Sequence, residues 1–424
     1  MTTPVSSAAK GTENKEWQLS GPAAAALRPC DIHYSKCLRG LVDFFASIKS
    51  HRDCHNRTLH YDDYVRYLLL YFFTPILTSM RGLQVASQME FIQKRFSLPR
   101  FSLGAFSEAG TTFDSERLLP HIQQLVDQLD SVALHERLGQ LDREPVAVDG
   151  SLLHAVPRML WALWLDKQNR AAKLHLQFSL LKKAPRKAFV TNANTGEVKV
   201  LWDNLESGIL YVMDRGFRNY EFLRAICDAG SSFLVRLQNN AAYQIIQEHP
   251  IDAEAAAAGI QQDLIVRLGS TKDSALLDRQ TRLIQIRARS QDSLSSRPCN
   301  KRVASTKTHR ETPHEHVLLL ATDRLDLDAF TIALLYKFRW LIETFFCWFK
   351  HVLDANRPIS EKQNGYRIVV YVALIASLLI SLWTRTRPTK RMYEMLCFHS
   401  MGIATDEELA AFIEKEKAKA RQAR

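Results

Sequence analysis

The sequence Tyr336-Lys-Phe-Arg339-Trp-Leu-Ile-Glu343-Thr-Phe-Phe-Cys-Trp-Phe-Lys350 carries the most informative pattern in this chain of 424 residues. Its tyrosine, arginine, glutamate and lysine stand at relative positions 0, 3, 7 and 14. On an α-helix, at about 100° per residue, these positions fall within roughly 60° of one another. Nearly all the other residues are apolar, so the pattern predicts a buried helix with one polar stripe. The charges on that stripe need a compensating partner or a wet cleft.

An Arg339–Glu343 ion pair on a solvated helix face is the alternative explanation of this stripe. Two upstream aspartates, Asp149 and Asp214, weigh against it. Each follows a short apolar run of strand type, and a glycine follows each within two positions. An Asp at the carboxyl end of a buried strand lies where α/β folds build their sites, although Asp and Gly are also ordinary turn residues. Two such aspartates ahead of a glutamate on a helix predict a site made of three carboxylates.

These residues resemble the DDE transposases of bacterial insertion sequences. More narrowly, they resemble the branch with the Y-(2)-R-(3)-E-(6)-K signature, the insertion sequence four family. The residues that match all four positions of the signature are Tyr336, Arg339, Glu343 and Lys350. The motifs Asp149-Gly and Asp214-Arg-Gly-Phe support the resemblance, which covers roughly residues 140–385.

The resemblance implies a metal-dependent enzyme with Asp149, Asp214 and Glu343 as catalytic residues and metal ligands. Asp149 is expected to bridge two Mg²⁺ (or Mn²⁺) ions, and each of the other two carboxylates is expected to hold one ion. Phosphodiester transfer with two metals places the ions about 3.5–4 Å apart. Mg²⁺ is a hard cation that prefers oxygen ligands, so three carboxylates suit it.

The same resemblance implies binding of double-stranded DNA, both the element ends and the target. Tyr336, Arg339 and Lys350 are expected to hold DNA phosphates near the cleaved end: the guanidinium as a bidentate fork, the ammonium as a point charge and the phenol through one hydrogen bond. The implied reaction is cut-and-paste transposition: strand cleavage at the element ends, a hairpin intermediate, and strand transfer to target DNA. A homodimer is implied, because two ends must be paired.

Composition agrees with a nucleic-acid partner. The chain has 56 Lys and Arg against 45 Asp and Glu, an excess of 56 − 45 = 11 positive charges, and its pI is about 9.3. This balance favours a polyanion such as DNA, although an ordinary basic protein has it too. Hydrophobic residues make up 46% of the chain, enough for a large core. The length predicts two or three domains.

Cysteine usage and the N-terminal sequence predict a protein of the reducing cytosol, and the resemblance implies a bacterial cytoplasmic protein associated with the nucleoid. The chain has seven cysteines, an odd number, and Met1–Ser20 lacks the apolar core of a secretory signal. The apolar stretch Ile368–Trp383 is sixteen residues long, which is short for a membrane span. We expect it to be a core helix, and we expect no membrane partner.

The order of patterns along the chain predicts an α/β fold: an RNase H-like catalytic core with a β-rich insertion, preceded by an all-α N-terminal region. The predicted segments are a disordered N-terminus (1–28), a helical region that the resemblance assigns to DNA ends (29–140), the first part of the core (141–237), the insertion (238–315), the second part of the core with the glutamate helix (316–385) and a charged tail (386–424).

Apolar periodicity predicts the individual elements. Helices are expected at Leu41–Ile48, Tyr61–Thr78, Leu83–Phe91, Ser115–Leu138, Glu197–Leu205 and Asn219–Asp228. Strands are expected at Val146–Val148, Leu174–Leu180, Ala188–Thr191, Leu210–Met213, Ser232–Leu237, Leu264–Leu268, Leu283–Arg287 and Val317–Thr322. Three strands, a helix and then a strand that ends in Asp is the order of an RNase H-like core.

Several features stay open. The Cys and His residues of Cys30–His55 are close enough for a zinc site, but their spacing matches no common finger. The basic segment Arg297–Arg310 is either a solvated loop or a contact to DNA phosphates. His175 either points at the cleft or is an ordinary packed histidine of a strand. Family members can carry a tryptophan in the insertion that stacks on a flipped base, but no Trp occurs between Trp202 and Trp340. Tyr243 and Phe233 are only weak substitutes for it.

Two other functions remain compatible with the residues. One is a DNA-binding protein descended from a transposase that no longer cuts DNA. The presence of all three carboxylates weighs against it. The other is an RNase H-like nuclease that hydrolyses DNA without strand transfer. The Tyr, Arg and Lys of the helix weigh against that alternative, since simple hydrolysis has less need to grip a DNA end.

Overall fold

The computed structural model describes residues 57–96, 98–131, 135–164, 166–269, 277–288, 316–355 and 357–422. Four predicted features lie outside the described residues: the N-terminus 1–28, the helix Leu41–Ile48, the Cys and His group of Cys30–His55, and the basic segment Arg297–Arg310. The described chain begins with helices, continues with a large sheet and ends with helices, so it is a mixed α/β protein.

The helices before the sheet are α1 (Tyr61–Phe73), α2 (Met80–Ser87), α3 (Glu90–Phe96), α4 (Leu103–Thr112), a 3₁₀ turn at Ser115–Leu118, α5 (Leu119–Asp127) and α6 (Glu136–Gly139). The strands are β1 (Glu144–His154), β2 (Leu163–Trp164), β3 (Asp166–Ser179), β4 (Ala184–Asn192), β5 (Ile209–Met213), β6 (Ser232–Leu237), β7 (Tyr243–Glu248), β8 (Ile260–Leu268), β9 (Gln280–Ala288) and β10 (His316–Thr322). The remaining helices are α7 (Glu197–Trp202), α8 (Tyr220–Asp228), α9 (Ala253–Ala257), α10 (Ala329–His351), α11 (Gln363–Thr384), α12 (Lys390–Ser400) and α13 (Asp406–Gln422).

The ten strands form one sheet whose central part fits an RNase H-like core. Strands β4, β3, β1, β5 and β6 are consecutive neighbours. The first three are antiparallel, whereas β1 pairs parallel with β5 and β5 pairs parallel with β6. Strand β10 adds antiparallel to β6, followed by β9, β8 and β7. The strands expected in the insertion therefore extend the main sheet instead of forming a separate one.

The two faces of the sheet carry two hydrophobic clusters. Val146 and Val148 of β1 belong to the cluster that also holds Leu201 of α7 and Phe222 of α8. Ala147 of β1 belongs to the other cluster, which contains the apolar residues of α10 and α11. Because side chains alternate along a strand, odd-numbered positions of β1 face α10 and even-numbered positions face α7.

Helix α10 begins directly after Asp328, whose side chain caps the N-terminus of the helix. The Asp328 carboxylate accepts a hydrogen bond of 2.9 Å from the Thr331 backbone N–H, and such a cap satisfies a backbone donor that the first turn leaves free. The helix then runs for 23 residues to His351, with the polar stripe on the side that faces β1 and β5. Its apolar residues pack on most other sides, as the composition of the stretch predicts.

Helix α11 contains the long apolar stretch and lies inside the protein. By length and composition alone it is the one helix of the described chain that could cross a membrane, but 83% of its apolar window is buried. It packs against α1, α4, α5 and β4, so it serves as the core helix that the sequence predicts.

Some predicted helices have different bounds. Helix α1 ends at Phe73 instead of Thr78, because Pro75 disfavours helical geometry at the residue before it. The expected helix Ser115–Leu138 is broken into a 3₁₀ turn and two short helices. Pro120 lies in the first turn of α5, where a residue without an N–H starts a new helix more readily than it continues one.

Candidate active site

Asp149 lies in the middle of β1, because the strand does not end at Val148 as expected but continues to His154, paired with β3. The alternation of side chains along the strand places Asp149 on the face of α10. Its Oδ1 accepts a hydrogen bond of 2.8 Å from the Gly150 backbone N–H. Burial raises the pKa of Asp149 to about 7; the Gly150 N–H and the Arg339 guanidinium lower it, whereas the Glu197 and Glu343 carboxylates raise it further. The carboxyl group therefore lies where additional positive charge would be favourable.

Asp214 directly follows β5, the parallel neighbour of β1. Its Oδ1 accepts a hydrogen bond of 3.1 Å from the Tyr336 hydroxyl of α10, and the Arg236 guanidinium on β6 lies 4.0 Å away. Burial alone would raise the pKa of Asp214, but the Arg215 backbone N–H, Arg339, Tyr336 and Arg236 outweigh burial, and the pKa is lowered. Asp214 is therefore held in its ionised form.

Glu343 and Arg339 form an ion pair one helical turn apart on α10. The distance between Arg339 Nη2 and Glu343 Oε1 is 2.6 Å, and the two side chains are 9% and 29% exposed. The guanidinium also lies over the Tyr336 ring, with its carbon 5.5 Å from the ring centroid. Because Arg339 acts electrostatically on both Asp149 and Asp214 as well, it is the cation shared by all three carboxylates.

The structure thus brings five of the six residues singled out in the sequence to one place between β1, β5 and α10. The sixth, Lys350, lies two turns beyond Glu343, and its Nζ donates a hydrogen bond of 3.1 Å to the backbone oxygen of Leu152 in β1. The Arg339–Glu343 ion pair of the alternative explanation does form, but Arg339 is buried and Glu343 is partly buried instead of lying on a solvated face.

The three carboxylates suit a hard divalent cation in their chemistry, because all the donors are oxygens. The buried carboxyl of Asp149 with its raised pKa is the kind of group that a cation would stabilise. In the described part of the chain, however, no group of three His, Cys, Asp or Glu side chains is spaced to hold a metal ion. The carboxylates are arranged around the Arg339 guanidinium instead, so binding of a metal requires their side chains to move.

Two charged neighbours of the site were missed in the sequence. Arg236 follows Val235, which pairs with Met213 across the parallel β5–β6 pair, so the predicted strand order would have placed Arg236 beside Asp214. Glu197 lies against Gly150. It gave no sequence signal, because an acidic residue in the first turn of a helix is ordinary.

His175 does not point at the cleft. It pairs with Gly150 across β1 and β3, so it lies on the face of α7, opposite Asp149 and α10. It is 4% exposed, and its Nε2 lies 2.9 Å from the Thr191 hydroxyl. Burial, with a smaller effect from Lys173, lowers the pKa of His175 to about 4. Of the two interpretations, the packed histidine of a strand is the one that the structure has.

Phe233 is excluded as a residue that stacks on a flipped base, because its side chain is 0% exposed in the core. Tyr243 lies on β7, partly buried against the cluster on the α7 face. The sequence offered both only as weak substitutes for the missing tryptophan.

The site places carboxylates from two neighbouring interior strands and one helix together, within the part of the sheet that fits an RNase H-like core. A family model described as "Transposase DDE domain" matches residues 140–379, more than half of the chain. The chain therefore belongs to the DDE transposase domain family, and it is an enzyme of the class that cleaves and transfers DNA strands.

Two proteins that are similar in sequence agree with this assignment. The chain is 27% identical over 271 residues to a Sinorhizobium fredii protein named as transposase y4zB; the match covers 61% of this chain and 69% of that protein. It is 24% identical over 249 residues to a Geobacillus stearothermophilus protein named as the transposase of insertion sequence element IS5377, and the match covers 57% of each. Among solved structures, the piggyBac transposase synaptic complex with hairpin DNA is similar with a TM-score of 0.38 and 9% identity, over 93% of this chain and 83% of that one.

Proposed function

We propose that this DDE transposase is a member of the insertion sequence four family that moves an insertion sequence by cut-and-paste transposition. The observation that supports the proposal is the meeting of Asp149, Asp214 and Glu343 around one buried arginine. Two neighbouring parallel strands and a capped helix hold these side chains, and a rigid scaffold of that kind keeps reacting groups in register.

Asp149, Asp214 and Glu343 would hold two Mg²⁺ (or Mn²⁺) ions. When bound, such ions activate the attacking oxygen and stabilise the leaving oxygen of a phosphodiester. Asp214 is ready for this role, since its lowered pKa keeps it ionised. Asp149 must give up its proton at neutral pH, because burial holds its pKa at about 7.

Arg339, Tyr336 and Lys350 would bind DNA phosphates near the cleaved end. Arg339 is now paired with Glu343, so engaging a phosphate requires the guanidinium to exchange one anionic partner for another. A guanidinium binds either anion with two parallel hydrogen bonds. The exchange would free the Glu343 carboxylate for a cation at the moment when DNA arrives.

The full reaction would cut at the element ends, pass through a hairpin and join the freed 3′ ends to target DNA. A homodimer would pair the two ends, with the helical region 29–140 binding them and the insertion 238–315 contributing near the hairpin. The excess of 11 positive charges supports a DNA partner, and the bacterial nucleoid in the cytoplasm is the proposed location.

One observation favours a second candidate, a transposase descendant that binds DNA without cutting it. Glu343 is neutralised by Arg339, and the described carboxylates are not spaced for a metal ion. In such a protein the ion pair would be a permanent structural feature, and no exchange with phosphate would take place.

Cleavage of the element's own ends separates these candidates. We would incubate the purified protein with Mg²⁺ and a DNA fragment that carries those ends, and compare wild type, Glu343→Ala and the control Glu221→Ala, which changes an exposed glutamate of α8. The proposal expects cleavage by wild type and the control, and binding without cleavage by Glu343→Ala. Binding without cleavage by all three proteins would favour the inactive descendant. Nicking without joining to target DNA would favour a simple nuclease.

A further inference from the structure

Glu197, the first residue of α7, lies against the glycine that follows Asp149. A Cβ atom built on Gly150 would lie 2.6 Å from Glu197 Oε1 and 2.9 Å from its carboxyl carbon. These distances are shorter than any normal contact, so the Glu197 carboxylate occupies the space that a side chain at position 150 would need. The absence of a side chain on Gly150 thus lets a fourth carboxylate approach the Asp149 backbone.

Lys173 of β3 holds the Glu197 carboxylate in this position. Its Nζ lies 3.6 Å from Glu197 Oε1, with side chains that are 16% and 30% exposed. The same ammonium donates a hydrogen bond of 3.3 Å to the backbone oxygen of Thr195, just before α7. Lys173 therefore ties the start of α7 to the sheet and fixes the direction of the glutamate.

The space beside Glu197 is a small cavity within the core that has both apolar and polar walls. Its volume is about 10 Å³, and apolar residues such as Val148, Leu176 and Phe189 line it together with Asp149, Glu197, His175 and Gln177. Gln177 is 2% exposed, and within the described chain neither its amide oxygen nor its amide nitrogen has a hydrogen-bond partner; the same holds for His175 Nδ1. Buried polar atoms of this kind favour a partner that carries charge or hydrogen bonds.

Glu197 also acts on Asp149 through its charge. Its carboxylate lies beside Gly150, the residue next to Asp149, on the opposite side of β1 from Glu343. Negative charge therefore lies close to Asp149 on the α7 side of the sheet as well, behind the strand. A cation that binds Asp149 from the α10 side would be attracted by this charge without contacting it.

We propose that Glu197 is a positioning residue of the active site, a fourth carboxylate that fixes the Asp149-Gly150 segment from behind and strengthens the binding of a divalent cation at Asp149. The inference rests on the proposed function, because it takes Asp149 to be a metal ligand. Glu197 would not contact the reacting atoms; it would act through Asp149, as outer carboxylates do at many metal sites.

Binding of Mn²⁺ alone to the intact protein tests the proposal without requiring activity. Free Mn²⁺ would be followed by its electron paramagnetic resonance signal in titrations of wild type, Asp149→Asn, Glu197→Gln and the control Glu221→Gln, after thermal unfolding has shown that each variant is folded. Loss of an outer partner weakens metal binding about 10-fold or more, and we expect that for Glu197→Gln. Asp149→Asn should lose the site, and the control should bind like wild type.

Gly150→Ala provides a second, independent variant. The added methyl group must push the flexible end of Glu197 away from Asp149, so this variant should weaken Mn²⁺ binding in the same way. The double variant Gly150→Ala/Glu197→Gln should then bind no more weakly than the worse single variant, because both changes remove the same carboxylate from the same place.

The outcomes separate the two proposals. If wild type binds Mn²⁺, Asp149→Asn abolishes binding and Glu197→Gln binds like wild type, the role of Glu197 is overturned and the proposed function stands. If wild type does not bind Mn²⁺, or if Asp149→Asn binds as well as wild type, both proposals fail. Additive losses in the double variant would also overturn the shared role of Gly150 and Glu197.

Discussion

Arg339 and Glu343 are joined by a hydrogen bond of 2.6 Å across one turn of α10, and the residue Arg339 is only 7% exposed. All three carboxylates stabilise the buried guanidinium. If Arg339 is removed, each of Asp149, Asp214 and Glu343 loses a positive charge that balances its own. The arginine that belongs to the family signature is therefore also a structural element of the fold.

Replacing Arg339 by alanine should lower the free energy of unfolding at pH 7. The loss should be above about 1 kcal/mol, yet below the 3–5 kcal/mol of a fully buried pair, since Glu343 is 29% exposed. Urea unfolding would measure it, with Lys337→Ala as a control because Lys337 is an exposed residue of the same helix. Added Mg²⁺ should restore stability to Arg339→Ala, and no response to Mg²⁺ would contradict the view that the two cations share one place.

Asp149 should make the metal-free protein less stable as the pH rises. Its pKa is about 7 in the folded protein, against an ordinary value of 3.8. The folded state therefore holds a proton that the unfolded state releases, so the stabilisation is complete below pH 3.8 and is lost as the pH rises through 7. The slope approaches about 1.4 kcal/mol per pH unit. Asp149→Asn should thus gain stability relative to wild type between pH 5 and pH 8, as measured by urea unfolding in a chelator.

Asp214 should change the stability with pH in the opposite direction to Asp149. Its pKa is lowered in the folded protein, so its contribution is present above its ordinary pKa and is lost as the pH falls through the lowered value. Asp214→Asn should therefore be less stable than wild type at pH 7, and the difference should shrink in acid. If the two variants showed the same pH dependence, the opposite environments of the two aspartates would be refuted.

Tyr336→Phe should distinguish a role of the Tyr336 hydroxyl in holding the DNA end from its role in protein stability. It removes one hydrogen bond of 3.1 Å to Asp214, which costs about 0.5–1.5 kcal/mol of stability, and it leaves the ring under Arg339 in place. We expect joining to target DNA to fall more than nicking of the element ends, since end retention matters most in the second step. Equal losses in both steps, measured on the same gel, would argue against a role in holding the end.

Gly365→Ala should destabilise the protein far from the active site. A Cβ atom on Gly365 would lie 2.2 Å from Ser360 Oγ and 3.0 Å from the backbone oxygen of Gly110 in α4. Because the backbone cannot yield easily, overpacking here should cost about 1–3 kcal/mol. Gly139→Ala is the control, since Gly139 is exposed and a Cβ atom there meets nothing within 4 Å. A melting temperature equal to that of the control would contradict the close approach of the two helices.

Much of the site was accessible from the sequence, because its residues follow regular patterns. The polar stripe of α10 has helical spacing, and Asp149 and Asp214 each follow a continuous run of apolar residues. The positions of Arg236 and Glu197 depend on which strands are neighbours and on where a loop places α7, and neither is encoded in local periodicity.

The missed elements have equally physical causes. Helix α4 contains Gly104 and Gly110, which lower helix propensity, and it forms because Ser102 caps its first turn and Phe106 and Ala109 are buried. Strand β7 is almost entirely exposed and lacks the alternation of a half-buried strand. Its pairing with β8 defines it, and such a partner cannot be seen in a single sequence.

The close contact between Gly110 and Gly365 has a consequence for the modularity of this transposase. Helix α11 packs on the sheet with one side and on α1, α4 and α5 with another, and all of them share one hydrophobic cluster. A fragment that begins near residue 140 would leave the apolar side of α11 without its cover. The N-terminal helices are therefore part of the same cooperative unit as the sheet and helix that carry the active site. Grafting these helices onto another transposase would require α11 to be transferred with them.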